Sequence, residues 1–167
     1  MFGNPLIDAL ARALVFILPA YCANAIPVLL GGGSPIDGNK LFSDGRPIFG
    51  AHKTIRGFVS GLAVGTLVGF GLSLVTNYSV LLGFAVSLGA LLGDLFEAFV
   101  KRRLGYAPGA SLPVADQLDF VLGALLFSLL VSPPSWQVAI VVLVITPPIH
   151  LLTNSVAYQL GVKKEPW

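Results

Sequence analysis

The sequence predicts an all-α integral membrane protein with five transmembrane helices, its N-terminus outside and two long loops in the cytosol. Three observations carry this. The 167 residues are 55% hydrophobic and only 11% charged, with a mean hydropathy of +0.85, whereas a soluble domain carries roughly 25% charged residues. The apolar residues fall into five runs separated by turn formers and charges. The basic residues then fall on one side of those runs. A chain this apolar reads as a single multi-pass domain over residues 1–167, with no room for a separate soluble one.

The first run, about Leu6 to Leu30, is impure, with Asp8, Arg12, Pro19, Asn24 and Pro27 inside it. Ala23-Asn24-Ala25 fits a small-x-small cleavage pattern. The stretch before it lacks a positive leader and is interrupted by Arg12 and Pro19, so it reads as a retained helix. Cys22 is the single cysteine, which excludes an intrachain disulfide and reads as a small buried residue. The loop Gly31–Thr54 is dense in turn formers and lacks the Gly-Lys-Ser/Thr of a Walker A loop. A flexible connection and an ordered cap over a site both remain open for it.

The second run spans about Ile55 to Thr76. Gly57, Gly61, Gly65 and Gly69 recur every fourth residue and form a flat ridge along one face. Close helix packing is the reading for such a ridge, with opening of the backbone to a substrate as the alternative. After Asn77–Ser79 comes the third run, about Val80 to Val100, then the loop Lys101–Ala115. The fourth, about Gln117 to Val131, is short, and the fifth spans about Trp136 to Tyr158 beyond Ser132–Ser135. Five spans place both long loops and the C-terminus on one side. That side holds Lys40, Arg46, Lys53, Arg56, Lys101, Arg102, Arg103, Lys163 and Lys164, and of the ten basic residues only Arg12 lies elsewhere. The positive-inside rule makes it the cytosolic side.

The chemistry concentrates at those ends. Of eight acids, four are Asp94, Glu97, Asp116 and Asp119, two pairs at i, i+3 spacing that each share a helix face. Acids at membrane depth are costly and therefore functional candidates. Glu97 with Lys101 is also an i, i+4 ion pair, and Asp116 also suits a helix start. Asp94 and Asp119 have no such local explanation. Convergent carboxylates beside Lys101, Arg102 and Arg103 suit a hard divalent cation such as Mg²⁺ with a polyphosphate. Lys53, Thr54 and Arg56, at the start of the second helix, suit an anion or ordinary membrane flanking equally. His52 and His150 lack metal-ligand spacing, and no nucleophile elbow or Cys/His pair points to covalent catalysis. His150, Thr153, Asn154, Ser155 and Tyr158 make a polar inner end of the fifth helix, for a ligand or for each other.

Gly93-Asp94-Leu95-Phe96-Glu97-Ala98, Lys101-Arg102, Pro113 and Asp116-Gln117-Leu118-Asp119 resemble the signature of the CDP-diglyceride synthetases, membrane cytidylyltransferases of phospholipid synthesis. Ala98 stands where that family has Ser and Gln117 where it has Arg. Its Lys-Asp has Ala107-Pro108 near its place, and its His-Gly-Gly stretch is missing from a shorter loop. Ala23-Asn24 with Pro27, Pro35-Ile36-Asp37-Gly38 and Lys53-Thr54 with Arg56-Gly57 are similar to an archaeal branch, the CDP-archaeol synthases, and this likeness spans nearly the whole chain.

The resemblance implies a single transmembrane cytidylyltransferase domain using CTP, Mg²⁺ and an unsaturated archaetidic acid, a diether lipid on glycerol 1-phosphate. It places Asp94, Glu97, Asp116 and Asp119 on metal and in catalysis, and Lys53, Thr54, Arg56, Lys101, Arg102 and Asn24 around CTP and its phosphates. No nucleic-acid partner is expected, and a homodimer is one option for the assembly. Two other readings stand beside it. A CDP-alcohol phosphotransferase needs Asp-Gly-x-x-Ala-Arg, a spacing that Asp44-Gly45-Arg46 does not supply. A small transporter would favour acids at the bilayer midplane rather than at the inner ends.

Overall fold

A computed structural model describes residues 5–107, 109–163 and 165. Lys164, counted above for charge, and Pro108, beside the missing Lys-Asp, lie outside the described residues. The described chain is helical: α1 (Pro5–Leu30), α2 (Ile55–Val75), α3 (Val80–Arg103), α4 (Ala115–Ser128) and α5 (Trp136–Gln159). Each of the five apolar runs is a helix. Four are long and apolar enough to cross a membrane. The 14 residues of α4 reach only about 21 Å at 1.5 Å per residue, against a hydrocarbon core of roughly 30 Å.

Helix ends follow local chemistry. Thr54 caps α2, its hydroxyl oxygen accepting from Gly57 N at 3.1 Å, and Ser135 caps α5 in the same way. α3 runs beyond Val100 to take in Lys101, Arg102 and Arg103, since cations suit the negative end of a helix. Pro19 and Pro27 lie inside α1, and Pro147 and Pro148 inside α5. Each lacks the N–H of a helical bond, yet both helices continue through them.

The glycine ridge of α2 faces protein. Gly57, Gly61, Gly65 and Gly69 are its buried residues. Descending α2 and rising along α1, Gly57 meets Pro27, Gly61 meets Ala23 and Gly65 meets Pro19, while Gly65 and Gly69 also meet Ser87 and Gly83 of α3. The steps of four match the helical repeat, so the three helices alternate in direction and pack backbone to backbone. α3 and α4 cross as closely: Gly89 lies against Gly123, and Gly93 against the Asp119 carbonyl.

The core lies among these crossings, on α1, α3, α4 and α5. Ala13, Ile17, Ala20, Val86, Ala90, Val121, Ala124 and Val142 are fully buried there. Tyr78 donates from its hydroxyl to Phe16 O at 3.0 Å. Thr146 gives its proton to Val142 O at 2.6 Å, so the Tyr21 hydroxyl, 2.8 Å from Thr146 Oγ1, must be the donor to it. That bond ties α1 to α5 beneath a cavity at the loop end.

The loop between α1 and α2 is an ordered cap. Ile36 N donates to Lys53 O at 2.8 Å and Ile55 N to Ser34 O at 3.0 Å, which draws its ends together. The buried Asp37 carboxylate accepts from the backbone N–H groups of Asn39, Phe49 and Gly50 at 2.9 to 3.0 Å. Burial works to raise its pKa, and those bonds outweigh it and hold the carboxyl below its ordinary value. Arg46 donates to the carbonyls of Arg102 and Arg103 at 3.2 and 2.7 Å, filling acceptors left open where α3 ends. In return Arg103 reaches Asp44 at 3.0 Å, and its guanidinium lies over the rings of both Phe42 and Phe99.

Candidate active site

The α3–α4 crossing decides where the acids stand. A Cβ at Gly93 would collide with the Asp119 carbonyl, so only glycine lets α4 come so near. Asp94 follows Gly93 directly, and the same contact brings it to the level of Asp119. Asp116 lies one turn earlier on α4 and Glu97 one turn later on α3. All four face a cavity of about 1020 Å³ between the loop-side ends of the five helices and the cap. Val114, at positive φ (70°), turns the chain sharply into α4, and Asp116 accepts from Leu112 N at 3.1 Å across that turn.

Each acid except Asp119 is held by a lysine. Lys53 descends from the cap and places Nζ 2.7 and 2.6 Å from the two Asp94 oxygens. Burial alone would lower the Lys53 pKa, but Asp94, with help from Asp119 and Glu97, more than offsets this and raises it. Lys101 bridges the two helices, with Nζ 2.6 Å from Asp116 Oδ1 and 2.9 Å from Glu97 Oε1. The Glu97 contact is close without hydrogen-bond geometry, and Oε1 stays buried without a hydrogen-bond partner. Asp119 accepts from Phe120 N at 2.6 Å. Among the described residues no three of these side chains stand together as a ready metal-binding group.

Arg102 is 4% exposed, and its Nε and Nη1 have no hydrogen-bond partner among the described residues. A buried guanidinium with open donors on a cavity wall suits an anion. Asn24 also lines the cavity. Thr54 lines it too, but its oxygen already serves as the α2 cap. Arg56 is exposed and outside the cavity lining. Its neighbour Gly57 must face α1, which turns Arg56 away by the roughly 100° between successive helical residues.

Of the polar inner end of α5, His150, Thr153 and Asn154 line the cavity, and Ser155 and Tyr158 do not. Asn154 pairs with the His150 ring at 3.2 Å, and that ring packs on Phe120. The sequence reading assigned no role to Asp37, the Arg46–Arg103 latch or Lys163. Lys163 lies just beyond α5 and lines the cavity. Burial lowers its pKa, with Asp116 opposing. The one sequence signal for the latch was an Asp-Gly-Arg turn facing a basic helix end, and surface charge alone does not reveal such pairing.

Fold and site together define a multi-pass membrane protein with an acid-and-base-lined cavity at one end of its helices. The pattern described as CarS-like, CDP-archaeol synthase, matches residues 6–167. The chain belongs to the CDP-archaeol synthase family. It is 48% identical to the CDP-archaeol synthase of Methanococcoides burtonii over 90% of this chain and 100% of that one. The enzyme of that name from Pyrococcus furiosus is 47% identical over 93% and 97%. A solved structure described as an intramembrane enzyme for archaeal membrane lipid biosynthesis superposes with a TM-score of 0.82 at 38% identity, covering 87% of this chain and 94% of that one.

Proposed function

We propose that the whole chain acts as one domain that transfers CMP from CTP to unsaturated archaetidic acid, giving CDP-archaeol and pyrophosphate. The observation that carries this is the cavity itself, where Asp94, Glu97, Asp116 and Asp119 meet Lys53, Lys101 and the uncommitted Arg102 beside walls that are largely apolar. An oxygen of the lipid phosphate attacks the α-phosphorus of CTP, the bond from that phosphorus to the bridging oxygen breaks, and pyrophosphate leaves. The nucleophile is already an anion near neutral pH, so no strong base is required. The work is positioning two anions and neutralising charge.

Asp94, Glu97, Asp116 and Asp119 line one cavity and offer only oxygen donors, so this set suits Mg²⁺. When bound, Mg²⁺ would neutralise charge on the phosphates and steady the leaving pyrophosphate. Arg102, Lys53 and Lys101 hold phosphate oxygens. Asn24 and the polar end of α5 border the substrates. The loop end is the cytosolic one, the N-terminus is outside, and α4 completes a fifth span.

The test uses purified protein, Mg²⁺ and CTP labelled at the α-phosphorus, with unsaturated archaetidic acid, an ester phosphatidic acid or no lipid. Label should enter the ether lipid with matching release of pyrophosphate. Label recovered only as CTP or CMP would contradict the proposal.

A further inference from the structure

Lys53 and Lys101 occupy oxygens on three of the four carboxylates that a divalent cation would use: both of Asp94, and one each of Asp116 and Glu97. Lys53 Nζ contacts both oxygens of Asp94, within 2.7 Å, and Lys101 Nζ draws Asp116 and Glu97 together from opposite helices. An ammonium and a divalent cation cannot share those oxygens, because like charges at contact distance repel. Nor can Lys101 simply leave. Lys101 is only 7% exposed, and an ammonium stripped of its carboxylate in so dry a place is strongly disfavoured. A second anion must arrive to receive it.

We infer that Lys53 and Lys101 are exchange residues, holding the carboxylates in the nucleotide-free enzyme and crossing to the triphosphate as the nucleotide binds. The inference rests on the cytidylyl-transfer reading and deepens it. Arg102 supplies the first step. Its Nε and Nη1 are uncommitted, so it can take a phosphate without breaking an existing pair. Lys101 and Lys53 line the same cavity as Arg102, so a phosphate held there has both lysines on the surrounding walls. A lysine has the means to cross, with a four-carbon stem and three donors that need no fixed plane. Lys53 has the freer path, since its side chain is 27% exposed. Asp94, Glu97 and Asp116 are thereby freed of their lysines only when a polyphosphate is present. Cation and nucleotide then favour each other's binding, and the coupling is reciprocal.

The experiment measures Mn²⁺ binding by electron paramagnetic resonance, with and without CTP and in the absence of lipid. It uses the wild type, Lys53→Met and, should that variant fold poorly, Lys53→Gln, each checked for monodispersity. In the wild type, CTP should tighten Mn²⁺ binding at least about tenfold beyond what Mn²⁺–CTP association in solution supplies. In Lys53→Met, nucleotide-free Mn²⁺ binding should tighten, CTP binding should weaken and the coupling should fall at least about tenfold. Equal coupling in wild type and variant, with CTP bound by both, overturns the exchange and leaves the functional reading intact. A wild type that binds no CTP at any Mn²⁺ concentration overturns the functional reading itself.

Discussion

Glycines bring α2 against α1 and α3, and glycines bring α4 against α3, but only the second contact carries carboxylates. At Gly61 an added Cβ would lie 2.5 Å from the Ala23 carbonyl and 3.2 Å from Leu91. At Gly93 it would meet the Asp119 carbonyl and lie 3.3 Å from Gly123 Cα. The steric demand is alike, and what differs is the cargo. The α1–α2 contact joins apolar faces, so a small shift there costs packing. The α3–α4 crossing sets the distance between Asp94 and Asp119, so the same shift there also moves the acids. Identical packing devices therefore have separable roles, and substitutions can separate them.

The largest effect belongs to the acids themselves. Asp94→Asn and Asp119→Asn keep size and polarity and remove charge. Each should lower CTP turnover by more than the roughly 100-fold that losing an outer partner costs a metal site. Size-exclusion profiles in detergent should stay unchanged, and near-normal turnover in both would take the acids out of the reaction.

Next come the two glycines. Gly93→Ala and Gly61→Ala should each destabilise by about 1–3 kcal/mol, the usual range for overpacking, read as a lower thermal midpoint in detergent. Turnover per folded molecule should fall in Gly93→Ala and stay near wild type in Gly61→Ala. Equal turnover in both would mean that the crossing does not position the acids.

The smallest effect concerns the cap. Asp37→Asn weakens three backbone hydrogen bonds to a carboxylate, with an expected loss of about 1.5 kcal/mol near neutral pH. The folded pKa of Asp37 lies below its ordinary 3.8. Its contribution is therefore complete above the unfolded value and is lost as pH falls through the lower folded one. The gap between the thermal midpoints of wild type and variant should be wide at pH 7 and narrow below pH 3.8. A gap independent of pH would mean that the charge of Asp37 is not what pins the loop.

Much of this was legible in the sequence because the dominant signals are local. Apolar length gave five helices, and the four-residue period from Gly57 to Gly69 gave a packing face that is indeed buried. The i, i+3 spacing of the acids gave a shared face on each helix. What was hidden depends on pairs far apart in the chain. Gly89 and Gly123 carry no signal, and Gly93 only opens the acid motif, until α3 and α4 run side by side. Lys53 reads equally as an anion site and as membrane flanking, and its pairing with Asp94, 41 residues away, shows only once the cap folds. Arg56 was grouped with Lys53 by proximity in sequence, but the helical turn after Thr54 sends the two apart. α4 read as a span on hydropathy, and its 14 helical residues make it the short member of the five.

The central claim is that metal and nucleotide meet at the α3–α4 crossing, and local cleavage tests it most directly. Fe²⁺ would replace Mg²⁺ in the presence of CTP, with ascorbate and peroxide to generate radicals at the bound ion, and the fragments would be mapped by mass spectrometry. The account predicts CTP-dependent cuts clustered at residues 94–97 and 116–119, absent from Asp94→Asn. Cuts confined to other segments, or unchanged in that variant, would contradict it.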